Sequence, residues 1–260
     1  MTASPGDASA VLGPVIREHR TRLTYLLGVT GAGLLLSLVG VLGAVQFVRR
    51  ALQDLSGETV AIGLLTTLPF LLSGGLTLWW AARRFGKVVT LHRGGFHYRD
   101  TSGELVVLWR AVDGVYQKIV RVYRAGVEVD VRDVYTIALT GGRTLEIDYH
   151  FEDVEAFGYA LTTALAEQHL PAYRQAFAAG QPLDFGPILV DGRGIAAGGK
   201  TLSWQEVESV SWKAGILSSD RAFVQIKRVG GLLAWAKVPV EQVKNYHVLV
   251  AIVADLDKAG

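Results

Sequence analysis

The chain contains no cysteine. Disulfides, thiolate nucleophiles and cysteine-ligated zinc are excluded at once. Charge is scarce as well. Only 19% of the 260 residues are charged against 50% hydrophobic, and mean hydropathy is +0.30. That is too apolar for an ordinary water-soluble domain of this size and points to lipid. Basic and acidic residues nearly cancel, leaving a formal net charge of +2, so no field for nucleic acid is implied. The sequence also lacks G-x-S-x-G, a P-loop and HExxH. Its six histidines, His19, His92, His97, His150, His169 and His247, follow no metal-ligand spacing. GRG at 192–194 and GGK at 198–200 read as hairpin turns, not phosphate cradles. The expectation is a non-enzyme without catalytic residues, metal or cofactor.

What the chain does have is two long uncharged runs. Leu23–Val48 passes 26 residues without a charge, and Val60–Ala82 passes 23. At 1.5 Å per residue each is long enough to cross a hydrocarbon core of about 30 Å. A cleaved secretory signal fits the first run poorly, because it is too long and lies behind a 22-residue polar leader. The intervening segment is short, so the runs form a helical hairpin over 23–85. Arg17, Arg20, Arg22, Arg83, Arg84 and Lys87 flank one end, whereas the connecting loop carries Arg49 and Arg50 against Asp54 and Glu58. Both termini are therefore expected on the cytoplasmic side, with Trp79 and Trp80 at that boundary. The small-residue spacings Gly33/Ser37 and Gly40/Ala44 favour packing inside the hairpin over dimerisation. Pro69 is expected to kink the second span. With no ionisable group inside either run, a transporter is disfavoured.

Beyond Phe85 the pattern changes to short alternating runs punctuated by glycine, as in a strand meander. A helix follows, with Val154, Phe157, Leu161, Ala164 and Leu165 on one face. The pattern then starts again at Pro187. VLWRAVDGV at 107–115 answers LSWQEVESV at 202–210, an offset of 95 residues. Gly142, Glu152, Val154 and Phe157 answer Gly231, Glu241, Val243 and Tyr246 at an offset of 89. A constant offset broken by one loop-length change is the mark of a duplication. Trp109 and Trp204, each ending a strand, read as structural plugs, one for each copy.

These features resemble the bacterial pleckstrin-homology-like (PH-like) domains: several short strands, a W-x-x-V-[E/D]-x-V turn and one closing helix in about 80 residues. PLDFGPILVDGRGI followed by KTLSWQEVESV is similar to a pattern in a domain-of-unknown-function family of such membrane proteins. The resemblance covers roughly 86–258. It implies a membrane α-hairpin plus α+β fold with two tandem PH-like domains, each a partly open antiparallel β-barrel with a C-terminal helix. The expected divisions are a flexible leader over 1–22, the hairpin over 23–85, a first domain over 86–170, a linker helix or loop over 171–186 and a second domain over 187–260.

The family commonly binds lipid or peptide, so the expectation is a multi-pass protein of a bacterial inner membrane that binds or scaffolds at the cytoplasmic face. An accessory subunit of a membrane enzyme or transporter complex is the alternative. Lys87, Arg110, Lys118, Arg121 and Arg124 are candidate contacts for anionic headgroups, the competing reading being a solvated strand face. On the last helix Leu249, Ile252 and Leu256 draw a second apolar stripe that the first copy lacks. Such a stripe needs a cover: the first domain, a second protomer in a homodimer, or a protein partner.

Overall fold

The computed structural model describes residues 5–52, 56–124, 127–214 and 222–257. It is an α+β chain with two apolar helices near the N-terminus and several antiparallel sheets, none closing into a barrel among the described residues. Two compact units are present. One is built on Glu18–Val89 with Tyr98–Leu105; the other takes in Thr90–His97 and the chain from Val106 onward, with the segment leading up to Arg17.

The leader, expected to be flexible, is structured from residue 5. Helix α1 (Pro5–Leu12) is followed by strand β1 (Val15–Arg20). Leu12 is buried, the Gly94 N–H donates to its carbonyl at 2.8 Å, and the Arg93 N–H donates to the Pro14 carbonyl. In β1 only His19 is buried, which is why its charged sequence hid a strand. Edge strands tolerate and often prefer such polarity.

Helices α2 (Leu23–Ala51) and α3 (Gly57–Arg84) pack along glycines. A Cβ at Gly40 would lie 2.7 Å from the Leu71 side chain, and one at Gly74 would lie 2.8 Å from the Ser37 backbone nitrogen. The small-residue stripe thus faces the partner helix, where a missing Cβ lets backbones approach. Helix α3 continues through Pro69.

Strands β2 (Val88–His92), β3 (Gly95–Asp100) and β4 (Gly103–Leu108) form a four-stranded sheet in the order β1-β2-β3-β4. The helix pair therefore lies, in chain order, between two strands that are neighbours in one sheet. A 3-10 turn at Trp109–Ala111 leads into β5 (Val112–Arg124), β6 (Val127–Leu139) and β7 (Thr144–Ile147), a three-stranded sheet, and then into α4 (Val154–Ala178). The same order recurs. β8 (Leu183–Asp184), β9 (Ile188–Asp191), β10 (Gly194–Ala197) and β11 (Lys200–Ser203) make four strands. A 3-10 turn at Trp204–Glu206 then precedes β12 (Val207–Ala214), β13 (Ala222–Arg228), β14 (Ala234–Pro239) and α5 (Tyr246–Asp257). Equivalent positions carry equivalent demands. A Cβ at Gly95 would lie 2.0 Å from the Val107 carbonyl oxygen, and one at Gly194 would lie 2.0 Å from that of Leu202. Val115 pairs with Ile137 in the first set, and Val210 pairs with Ile226 in the second.

One expectation shifts. The alignment of the closing helices moves by three residues. Helix α4 follows Asp153 and α5 follows Asn245, both at φ 50°, so Phe157 corresponds to Leu249, not to Tyr246. Phe157 and Leu249 are both fully buried. The extra length begins directly after the equivalent turns at Gly142 and Gly231, with Leu232 and Leu233. The linker, expected as a helix or loop over 171–186, is helical to Ala178, and α4 continues into it straight through Pro171. The helix stops at Gly180, where φ is 74°: the Gly180 N–H donates to the Phe177 carbonyl and the Gln181 N–H to that of Ala176. This is the Schellman arrangement, which needs a left-handed residue that glycine supplies without strain.

Candidate functional site

Strand alternation sorts the basic residues of β5. Lys118 points to the outer face of the β5-β6-β7 sheet, beside Tyr116 and across from Val134. Arg121, three residues on, lies on the opposite face. Arg110 is exposed in the 3-10 turn, and the Arg124 side chain lies outside the described residues. Lys87, half-buried, belongs to the other unit. Of the candidates described within one unit, Lys118 and Arg121 thus lie on opposite faces of the sheet and Arg110 in the turn before it.

The structure gives Lys118 a different neighbour. Arg132, diagonal to it on β6, shares a cleft of about 640 Å³ with Lys118, Tyr116, Tyr149, Glu146 and Glu241. The Arg132 guanidinium is fixed twice, by Asp130 at 2.9 Å and by the Tyr149 ring at 4.6 Å. The cleft thus gathers two cations, two phenols and two carboxylates. The free end of the same hairpin carries exposed Val127, Val129 and Val131. Arg132 was missed from sequence, although its even spacing from Val134 and Thr136 already placed it on their face.

The inner face of this hairpin is polar where the second set is apolar. Gln117 Nε2 donates to Asp133 Oδ1 at 3.3 Å and to the Tyr135 hydroxyl at 3.2 Å. Burial pushes the Asp133 carboxyl above the ordinary carboxylate range and raises the Tyr135 phenol as well. Trp212, Ala222 and Val224 occupy the corresponding places in the second set. Among the described residues, no three His, Cys, Asp or Glu side chains come together as metal ligands.

The two tryptophans do similar work to different depths. Trp109 is 6% exposed, packs its ring 5.7 Å from Phe96 and donates from Nε1 to the Arg93 carbonyl at 2.9 Å. Trp204 donates to the Asp191 carbonyl at 2.8 Å but is only half-buried. Leu249 and Ile252 are buried and Leu256 is half-buried. Their core is covered by Leu170, Tyr173, Ala176 and Phe177, the far half of α4. The second stripe thus finds its cover inside the chain.

The two sets of strands meet at a built joint. The Val115 N–H donates to Asn245 Oδ1 at 3.0 Å, and the Asn245 N–H donates back to the Val115 carbonyl at 2.9 Å. Lys244 pairs with Asp113 at 2.8 Å, and Arg174 with Asp255. Burial, then Lys244, hold the His169 imidazole below its usual range, against the opposing pull of Asp113 and the Val112 backbone. Burial, with His169 adding, pushes His247 down to about 4. A base held below its unfolded value of 6.5 keeps its stability above that pH. Stability then falls as acidification proceeds toward the folded value. Between about pH 6.5 and pH 4 the His247 contribution lost is about 3 kcal/mol. Denaturant melts of the detergent-solubilised chain across that window should show the loss, and His247→Gln should flatten it. A parent curve level across the window would refute it.

The fold and the cleft define an α+β chain with a pair of long apolar helices and a polar cleft. The chain belongs to the family of unknown function DUF6585, which matches it over residues 1–259. No curated protein and no solved structure matches it.

Proposed function

We propose that this is a membrane-anchored binding protein. Helices α2 and α3 cross the bilayer, both termini are cytoplasmic, and two PH-like domains at the inner face of a bacterial membrane hold lipid headgroups or a protein partner without catalysis. The observation that carries the reading is the place of the helix pair in the chain. It leaves β1 through Thr21 and Arg22 and returns to β2 through Phe85–Lys87, and those strands are neighbours. Connections this short reach only about 3.5 Å per residue, so β1 ends and β2 begins within a few residues of the helix ends. Thr21 Oγ1 bonds the Arg84 and Lys87 carbonyls at 3.2 Å, tying the exit to the return.

Burial separates lipid-facing helices from the core helices of a water-soluble fold. The most apolar windows of α2 and α3 have mean hydropathy 2.1 and 1.7, yet each is only 17% buried. Their outward faces carry Leu34, Leu35, Leu38, Leu65, Leu72 and Leu76, an exposure that water would penalise and acyl chains would not. At one end Arg83 sits 4.1 Å from the Trp79 ring and Arg84 4.4 Å from that of Trp80. Tryptophan and arginine together fit the headgroup level of a cytoplasmic interface.

Since the chain has no cysteine, single reporters are clean. On intact cells an impermeant maleimide should label Ser56→Cys, and should label Ser102→Cys only after permeabilisation. The reverse pattern would invert the orientation. Release of the chain by alkaline carbonate would overturn the anchoring itself.

A further inference from the structure

The two most exposed large apolar side chains among the described residues, Leu232 and Leu233, sit at one hairpin tip. Between β13 and β14, Leu232 is 101% exposed, Leu233 84% and Val229 58%. The turn that presents them is firmly made. The Gly231 N–H donates to the Arg228 carbonyl at 2.9 Å, the Val229 N–H donates to the Glu206 carbonyl at 2.8 Å, and Gly230 takes φ 70°. Nothing in this geometry requires leucine. The equivalent turn of the first set, Leu139–Arg143, closes the same way around Gly142 and offers Thr140 and Arg143 to water. The two leucines are an addition peculiar to the second set.

Their surroundings specify the kind of surface they meet. From Ala222 to Val240 the chain carries Lys227, Arg228 and Lys237 and no acidic residue. One of these cations, Arg228, is paired with Glu206. Trp235, two residues beyond Leu233, packs against the core of its own set of strands, so the apolar reach of the tip is that of the leucines and Val229. An apolar tip and a basic collar are the components of an interfacial anchor, in which leucine enters the acyl region while cations remain with anionic headgroups. We propose that the Val229–Leu233 tip inserts into an anionic bilayer and gives the second set its own contact with lipid. This rests on the membrane-anchored reading above.

The test uses the full chain reconstituted in vesicles, with Leu232→Cys carrying an environment-sensitive dye. With phosphatidylglycerol present the emission should shift to the blue, and lipids brominated on their acyl chains should quench most of it. The same dye on Thr140→Cys should stay aqueous. Leu233→Asp should return the Leu232→Cys probe to water, and high salt should weaken insertion, because the basic collar is screened. A probe at 232 that is open to aqueous iodide in anionic vesicles would overturn the proposal. So would a shift that arises only with added cell protein, which would assign the tip to a protein groove. If the chain stays integral while the tip stays aqueous, only this inference falls. If the chain leaves the vesicles in carbonate, the anchored reading falls with it.

Discussion

Trp109→Ala is expected to destabilise the chain by about 3–5 kcal/mol, the usual cost of deleting a buried large aromatic. At 6% exposure the indole is enclosed, and its ring lies beside Phe96, which is wholly buried. Truncation opens a cavity there and removes the Nε1–H donor from the Arg93 carbonyl, which then sits partly buried without it. The backbone offers little relief, since the Trp109 N–H is committed to the Gly94 carbonyl at 3.1 Å and Gly95 already touches the neighbouring strand. Trp204→Ala removes the matching bond to Asp191 but less enclosed surface, so its cost should be about half as large. Thermal melts followed by circular dichroism should rank Trp109→Ala clearly below Trp204→Ala, at about 2–4 °C for each kcal/mol lost. Equal melts would mean that burial depth does not separate these two sites.

The long apolar helices and most strands were legible because each writes a single strong period. An uninterrupted run reads as a span, and the alternation of VVTLH and GFHYRD brackets the Arg93–Gly95 turn. Strand β1 was not legible. Five of its six residues face water, so VIREHR has no apolar face to betray it. The linker was legible as a helix or loop over 171–186, but not that it joins α4 unbroken across Pro171, where packing on the second core favours continuing. Tertiary contact won over local propensity there.

The candidate site was legible in part. The sequence assembled Lys118, Arg121 and Arg124 by proximity along the chain, but a strand separates residues three apart onto opposite faces. The partner that geometry gives to Lys118 is Arg132, fourteen residues away in sequence and diagonal across the hairpin. Only the register of β5 against β6 reveals such a pair, and no composition encodes that register.

The double replacement Leu249→Ser with Ile252→Ser is expected to unfold the second set of strands, not merely to loosen it from the first. The spacing of these residues alone describes a spare stripe, whose loss would free a neighbour and leave its own domain folded. Their environment says otherwise. Leu249 is 0% and Ile252 3% exposed, within the cluster that holds Phe185, Ile188, Val190 and Ile226. Helix α5 has only three turns with which to close that core, while α4 contributes Tyr173 and Phe177 from the other side. Each serine removes a large side chain, at about 2–5 kcal/mol by analogy with truncation to alanine, and brings in a hydroxyl that must be satisfied in an apolar site. Together the pair approaches the whole stability of an ordinary domain, about 5–15 kcal/mol. Proteolysis of the full chain should cut throughout 183–257 while the segment before Ile147 stays protected. A cut confined to the joint around Lys244 and Asn245, with both sets intact, would return these two residues to a spare docking stripe.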